Sequence, residues 1–296
     1  MPLLTPLIRL GGLFPDRQVY AKCEFLAPSG SFKIRGANHL LEYLLREDSR
    51  RLLVVPSMGN TVLGAAVAAP VYGFRVVGVV PQTISRAKDE KLQALGVELI
   101  KVDGKGSDLL ARATEVARER GAYFVHPHLD PHWTDGYQSI AAEILDKLPD
   151  CGSFVFPVGG GGLLMGLSEH VRKSGATVRL FGCEPYNYPK YARFEHARTS
   201  TMADGLILEW PHPQVQERIS EDRIEIGLVT EDDIAAALKD LFAGHALVVE
   251  PSSAIAVAGV KGLGRTLPEP VCVILTGANV SRENHAQLMS GSSTGG

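Results

Sequence analysis

Three times between residues 51 and 125, a short and continuously apolar run is followed by a longer amphipathic one. Residues 51–56, 74–80 and 97–102 read as strands, residues 61–72, 85–95 and 107–120 as helices, and residues 123–125 as a further strand. A strand that is apolar along its whole length has no face left for water, and strands joined through helices run parallel. The pattern demands a mostly parallel sheet with helices on both faces, which is an α/β architecture.

A second block of the same kind follows a turn-rich boundary at residues 126–131. Residues 136–148 read as helix, 154–158 as strand, 163–174 as helix, and 178–183 and 224–229 as strands. Helices at 231–244 and 252–263 precede a closing strand at 271–275. Ahead of both blocks, residues 5–10 and 19–24 read as strands around a Gly/Pro turn, and Leu40, Leu41, Leu44 and Leu45 mark a helix over 37–46. Residues 186–222, rich in Pro, His and Tyr, read as irregular and too long for a mere connection. The Ser/Gly-rich tail from Ser290 to Gly296 is expected to be disordered. Two α/β units imply a cleft between them, where ligands bind.

The 296 residues are 45% hydrophobic, ample for a core. A net charge of −3 with interspersed signs argues against a nucleic-acid partner. The apolar runs fall short of a membrane span, and the N-terminus lacks the charged-then-apolar pattern of a secretion signal. Cys23, Cys151, Cys183 and Cys272 are scattered, which suits buried reduced thiols in a cytoplasmic, soluble protein.

Three stretches carry chemistry. Pro28-Ser29-Gly30-Ser31-Phe32-Lys33 places a lysine at a loop-to-helix junction beside an aromatic ring. Held out of water, such a lysine loses its charge more easily and can attack an aldehyde to form a Schiff base. Gly159-Gly160-Gly161-Gly162 lies between a strand and a helix, where bare backbone N–H groups and the helix start suit a phosphate. A dinucleotide fingerprint fails, because the glycine it needs at position 164 is Leu164. A P-loop fails too, because Gly166 is followed by Leu167-Ser168. Ser57-Met58-Gly59-Asn60-Thr61 offers hydroxyls, an amide and N–H groups at another helix start, fit for a carboxylate or a phenolic oxygen. Thr276 stands at the end of the last strand. An amine nucleophile, a phosphate cup, a carboxylate turn and a strand-end hydroxyl together match pyridoxal 5'-phosphate bound through lysine.

The motifs Ser31-Phe32-Lys33-Ile34-Arg35-Gly36-Ala37, the four glycines, Thr201-Met202-Ala203-Asp204-Gly205, Glu250-Pro251-Ser252-Ser253-Ala254 and Thr276-Gly277-Ala278-Asn279 occur in that order. In them, and over residues 5–280, the chain resembles fold type II pyridoxal-phosphate enzymes of the tryptophan synthase β-like superfamily, in the threonine/serine dehydratase branch. The resemblance implies a large cofactor-binding domain of residues 1–51 and 129–296 and a small, mobile substrate-binding domain of residues 52–128. The active site would lie in the cleft between them, in a homodimer. Lys33 would hold the cofactor and act as base at the substrate Cα. Phe32 would pack beside the ring, Asn60 would bond its phenolic oxygen, and Gly159, Gly160, Gly161 and Gly162 would bind the phosphate. Thr276 would meet the pyridine nitrogen. Ser57, Met58, Gly59 and Thr61 would line the substrate pocket, Gly205 would approach the substrate side chain, and Glu250 would stand behind the site.

A hydroxyl at the ring nitrogen makes a weaker electron sink than a carboxylate would, which favours prompt loss of a β-leaving group. Met58 stands where racemases of this family carry a second serine, so racemisation is not expected. The expected reaction is β-elimination on a small L-amino acid such as threonine or serine, giving a 2-oxo acid and ammonia. The alternative is β-replacement by a synthase, because Asn60-Thr61-Val62-Leu63-Gly64 departs from the Asn-His-Ala-Gln-Gly usual in dehydratases and is closer to cysteine and threonine synthases. His126, His128 and His132 read as a solvated boundary loop and Trp210-Pro211-His212-Pro213 as a packed surface loop. Glu184-Pro185 matches a segment that holds a divalent cation in some relatives, with no acidic partner evident, so a metal is left open.

Overall fold

The computed structural model describes residues 3–193 and 200–290 and contains two sheets. Strands β1 (Leu7–Arg9), β2 (Val19–Cys23), β7 (Ser153–Pro157), β8 (Arg179–Pro185), β9 (Glu225–Val229) and β10 (Val271–Leu275) form the larger. Its order is β1-β2-β10-β7-β8-β9, parallel throughout except where β1 meets β2. Strands β3 (Leu52–Pro56), β4 (Arg75–Pro81), β5 (Glu98–Val102) and β6 (Tyr123–Phe124) form the smaller, in the all-parallel order β5-β4-β3-β6. β7 and β10 are buried at every position, as a central parallel strand must be.

Helices close both faces. On the smaller sheet, α4 (Gly106–Glu119) lays Leu109, Ala113 and Val116 on Val54, Val77 and Val79. The opposite face meets α1 (Lys33–Glu47) and α2 (Asn60–Ala68), which join the largest core cluster through Leu40, Leu41, Leu44 and Val62. On the larger sheet, α10 (Pro251–Leu263) is buried from Pro251 through Val260 and packs beside α9 (Glu231–His245) over Val155, Val271 and Val273. A helix apolar all round can be accommodated only in such a place.

Three stretches depart from the sequence pattern. The helix expected at 136–148 is two, α5 (Pro131–Asp135) and α6 (Gln138–Lys147). Asp130 accepts a hydrogen bond from Trp133 N at 3.2 Å and Pro131 fills the first helical position, so the chain turns helical early. The helix expected at 61–72 keeps α geometry only to Ala68 and tightens to a 3₁₀ turn over Ala69–Tyr72, with Pro70 inside it. The stretch read as irregular contains α8 (Pro213–Glu221), which buries Val215 and Ile219 one turn apart. Residues 194–199 of that stretch, and the tail at 291–296, lie outside the described residues. Between Gly162 and Ser174 runs α7, α3 spans Arg86–Ala94, and α11 (Arg282–Ser290) follows the last strand. Among the described residues no helix is long and apolar enough to cross a membrane. The four cysteines are buried and unbridged, and burial pushes the thiols up, that of Cys151 to about 11.

Candidate active site

Lys33 is the first residue of α1, and its loop is laced to the end of β10. Phe32 N donates to Thr276 O at 3.0 Å and Ala278 N to Gly30 O at 2.9 Å, and Ser31 bridges Gly277. Gly30 makes the turn with a φ of +72°, a conformation that favours glycine. The base of α1 is anchored by Arg35, whose guanidinium spans Glu24 (Nε–Oε2 2.7 Å) and Glu143 (Nη1–Oε1 2.5 Å). Glu24 also accepts from Thr5 Oγ1, and Lys22 pairs with Glu143. β2, α1 and α6 are thereby tied at one buried point.

The Lys33 ammonium lies 4.8 Å from the Phe32 ring centroid and 5.8 Å from that of Tyr137. Burial pushes its pKa down to about 8, against the pull of the Glu250 carboxylate. It faces a cavity of about 280 Å³. Phe32, Ser57, Met58, Asn60, Thr61, Gly159 through Gly162, Gly205 and Thr276 all line that cavity. Gly59 does not. It lies under Lys88 with a φ of +133°, where a Cβ would stand 2.5 Å from Lys88 Cδ, so its part is to turn the chain.

The cradle needs its glycines. A Cβ on Gly160 would run into the His128 ring, and one on Gly161, whose φ is +87°, would come within 2.5 Å of Val215. No side chain caps the start of α7, so its first N–H groups remain for a ligand. Ser57 Oγ accepts from Gly59 N at 3.0 Å and Thr61 N at 3.3 Å, which shapes the turn ahead of α2.

The wall also takes residues that the sequence placed elsewhere or left without a role. Glu250 touches the cavity instead of standing behind it, and accepts from Asn60 Nδ2 at 2.7 Å. Asn60 Oδ1 accepts from Asn279 Nδ2 at 2.9 Å, and Asn279 Oδ1 from Lys91 Nζ at 2.9 Å. Burial raises the Glu250 pKa, and its Oε2 is buried without a hydrogen-bond partner among the described residues. Lys88, 3% exposed, reaches over the Ser57–Thr61 turn to Asp204 at 2.8 Å. His128 and His212 correct the expectation of a solvated loop and a surface loop, because tertiary packing brings both to the cavity wall. Only an alternation of His with Pro hinted at them. Glu184 is fully buried and accepts from the N–H groups of Lys190, Tyr191 and Ala192, with the Lys190 ammonium at 3.5 Å. Among the described residues no three His, Cys, Asp or Glu side chains group as a metal ion requires.

An amine with a pKa of about 8, a helix start behind four glycines, a cavity of about 280 Å³ walled in part by Phe32 and a carboxyl oxygen without a partner among the described residues suit a flat aromatic aldehyde carrying a phosphate. That donor set defines a pyridoxal-phosphate site. A family model described as "Pyridoxal-phosphate dependent enzyme" matches residues 3–277, and the chain belongs to that family. It is 32% identical over 270 residues to an L-threonine ammonia-lyase of Thermotoga maritima, covering 89% of this chain and 67% of that one. It is 30% identical over 266 residues to a catabolic L-threonine dehydratase of Staphylococcus aureus, covering 86% of this chain and 77% of that one. The processed form of threonine deaminase isoform 2 from Solanum lycopersicum superposes with a TM-score of 0.88 at 26% identity, over 99% of this chain and 84% of the other.

Proposed function

We propose that this protein eliminates the β-substituent of a small hydroxylated L-amino acid, threonine or serine, giving a 2-oxo acid and ammonia. Pyridoxal 5'-phosphate supplies an electron sink that acidifies the substrate Cα–H. Lys33 would hold the cofactor and, once displaced by the substrate amine, take the Cα proton; an amine with a pKa near 8 suits a base at neutral pH. Gly159 to Gly162 would bind the phosphate, and Phe32 would pack against the ring. Asn60, oriented by Glu250 and Asn279, would bond the phenolic oxygen. The Ser57–Thr61 turn would hold the substrate carboxylate at the start of α2, with Lys88 above it adding positive charge. Gly205, on the cavity wall with its N–H held by Ser252 Oγ at 3.0 Å, would approach the substrate side chain.

The observation that carries loss of a β-substituent, the step that elimination shares with replacement, is Thr276 at the end of β10. A neutral hydroxyl, 4% exposed, faces the cavity where a carboxylate would keep a ring nitrogen protonated. Met58 on the cavity wall supplies no acid to return a proton from the other side, which disfavours racemisation.

The unit carrying β3 to β6, residues 52–128, would close on the rest when substrate binds, with the chain acting as a cytoplasmic homodimer. Contacts such as Lys88–Asp204, Ser107 N–Glu209 and Lys91–Asn279 cross from that unit to the larger one and would be remade at each closure. The test adds L-threonine, L-serine and O-acetyl-L-serine in turn to the holoenzyme. Accumulation of 2-oxo acid and ammonia without a second substrate supports elimination, and the fastest substrate identifies the pocket. Turnover that waits for a thiol or amine overturns it in favour of replacement. Lys33→Ala should remove both turnover and the absorbance of lysine-linked cofactor; retained turnover would sink the assignment.

A further inference from the structure

The glycine end of the cavity holds two imidazoles to which the elimination gives no task. His128 follows β6 with its ring against Gly160, and His212 precedes α8. Both line the cavity, and His128 Nδ1 lies 3.3 Å from His212 Nε2. His126 packs beside them, its ring centroid 5.6 Å from that of His212. Its Nδ1 accepts from His128 N at 3.3 Å and Leu129 N at 3.2 Å, so His126 is committed to shaping the turn.

We propose that His128 and His212 are a hydrogen-bonded pair within the phosphate seat that takes up one proton when a phosphate dianion enters. The proposal rests on the cofactor seat at Gly159–Gly162. The charged side chains acting on His128 are cationic, Lys33 from α1 and Lys190 from the segment after β8, which is tied to Glu184, while Glu209 on the same wall accepts from Ser107 N at 2.8 Å. The starts of α7 and α8 point positive ends the same way, and Tyr191 Oη accepts from His212 N at 3.2 Å. Burial first, then Lys33, His212, His126 and Lys190, hold His128 far below the usual imidazole range; burial lowers His212 as well. A dianion in the seat reverses that balance, because a nearby opposite charge favours the protonated imidazole. One proton, drawn from solvent, is shared between Nδ1 of His128 and Nε2 of His212. A second would set two cations side by side.

The test is calorimetry of pyridoxal 5'-phosphate binding to the apoprotein, in buffers of differing ionisation enthalpy, on wild type, His128→Phe and His212→Asn. The wild type should take up about one proton more than either variant. Over pH 6–8 its cofactor affinity should fall more steeply than theirs, by up to about tenfold per pH unit. Lys33 is common to all three proteins, so its own proton release cancels in the comparison. If a variant fails to fold, NMR of the wild-type imidazoles with inorganic phosphate alone decides: both rings should move from neutral toward protonated shifts at pH 7. Pyridoxal lacking the phosphate should produce no such change. Equal proton numbers in all three proteins, or rings that stay neutral under saturating phosphate, overturn the pair. Failure of the cofactor to bind at all would overturn the seat itself and the pair with it.

Discussion

At the residue scale, the site depends on a few groups whose environments change their ordinary chemistry. Lys33 reacts with an aldehyde only as the neutral amine. With its pKa lowered to about 8, the neutral fraction grows about tenfold per pH unit below that value and saturates above it. The rate at which apoprotein links to cofactor should therefore rise from pH 6 to 8 and then level, measured by stopped-flow absorbance. A rate still climbing tenfold per unit at pH 10 would place Lys33 in ordinary solvent. Gly161 is a second such residue. Its φ of +87° and the nearness of Val215 leave no room for a side chain, and a left-handed conformation costs an L-residue about 1–2 kcal/mol before any clash. Gly161→Ala should weaken cofactor binding by about tenfold or more in an absorbance titration while far-ultraviolet circular dichroism is unchanged.

At the scale of elements, buried charge holds the parts in register. Arg35 joins α1 to the turn after β2 through Glu24, which is fully buried, and to α6 through Glu143. Removing one partner of such a cluster strands the others, at a cost of about 3–5 kcal/mol. Arg35→Ala should lower the thermal midpoint strongly and loosen Lys33 as well, since both lie in the first turn of α1. A midpoint within a degree of wild type would show that water replaces the guanidinium. Near the end of β8, the Glu184 carboxylate accepts from three N–H groups of the segment that follows and faces the Lys190 ammonium. Among the described residues no cluster of ligands offers a divalent cation a site there, so EDTA should leave the holoenzyme's midpoint and turnover unchanged. Lys190→Ala should destabilise the protein, because the buried Glu184 carboxylate would lose the ammonium 3.5 Å from it.

At the scale of the whole molecule, two sheets meet along a cavity whose walls come from both. Lys88, on α3 of the smaller unit, spans the cleft to Asp204 and covers the Ser57–Thr61 turn. Lys88→Met keeps the stem that packs on Gly59 and removes the charge, so it should raise KM for the amino acid more than it lowers kcat. An unchanged KM would remove Lys88 from substrate binding. The α/β class, almost every strand, the lysine, the four glycines and Thr276 could all be read along the chain, because apolar periodicity and glycine runs are local properties. α8 and the split at Gly136 were obscured, since their signals lie in short turns rich in proline and in a glycine's close approach to the Arg35 carbonyl. The local sequence by itself determined where the reactive groups sit on their elements. Only the tertiary structure decided that Glu250 faces the cavity, that Gly59 turns away from it, and that His128 and His212 meet although 84 positions apart in the numbering. Those outcomes depend on packing between segments distant along the chain, to which no local pattern is sensitive.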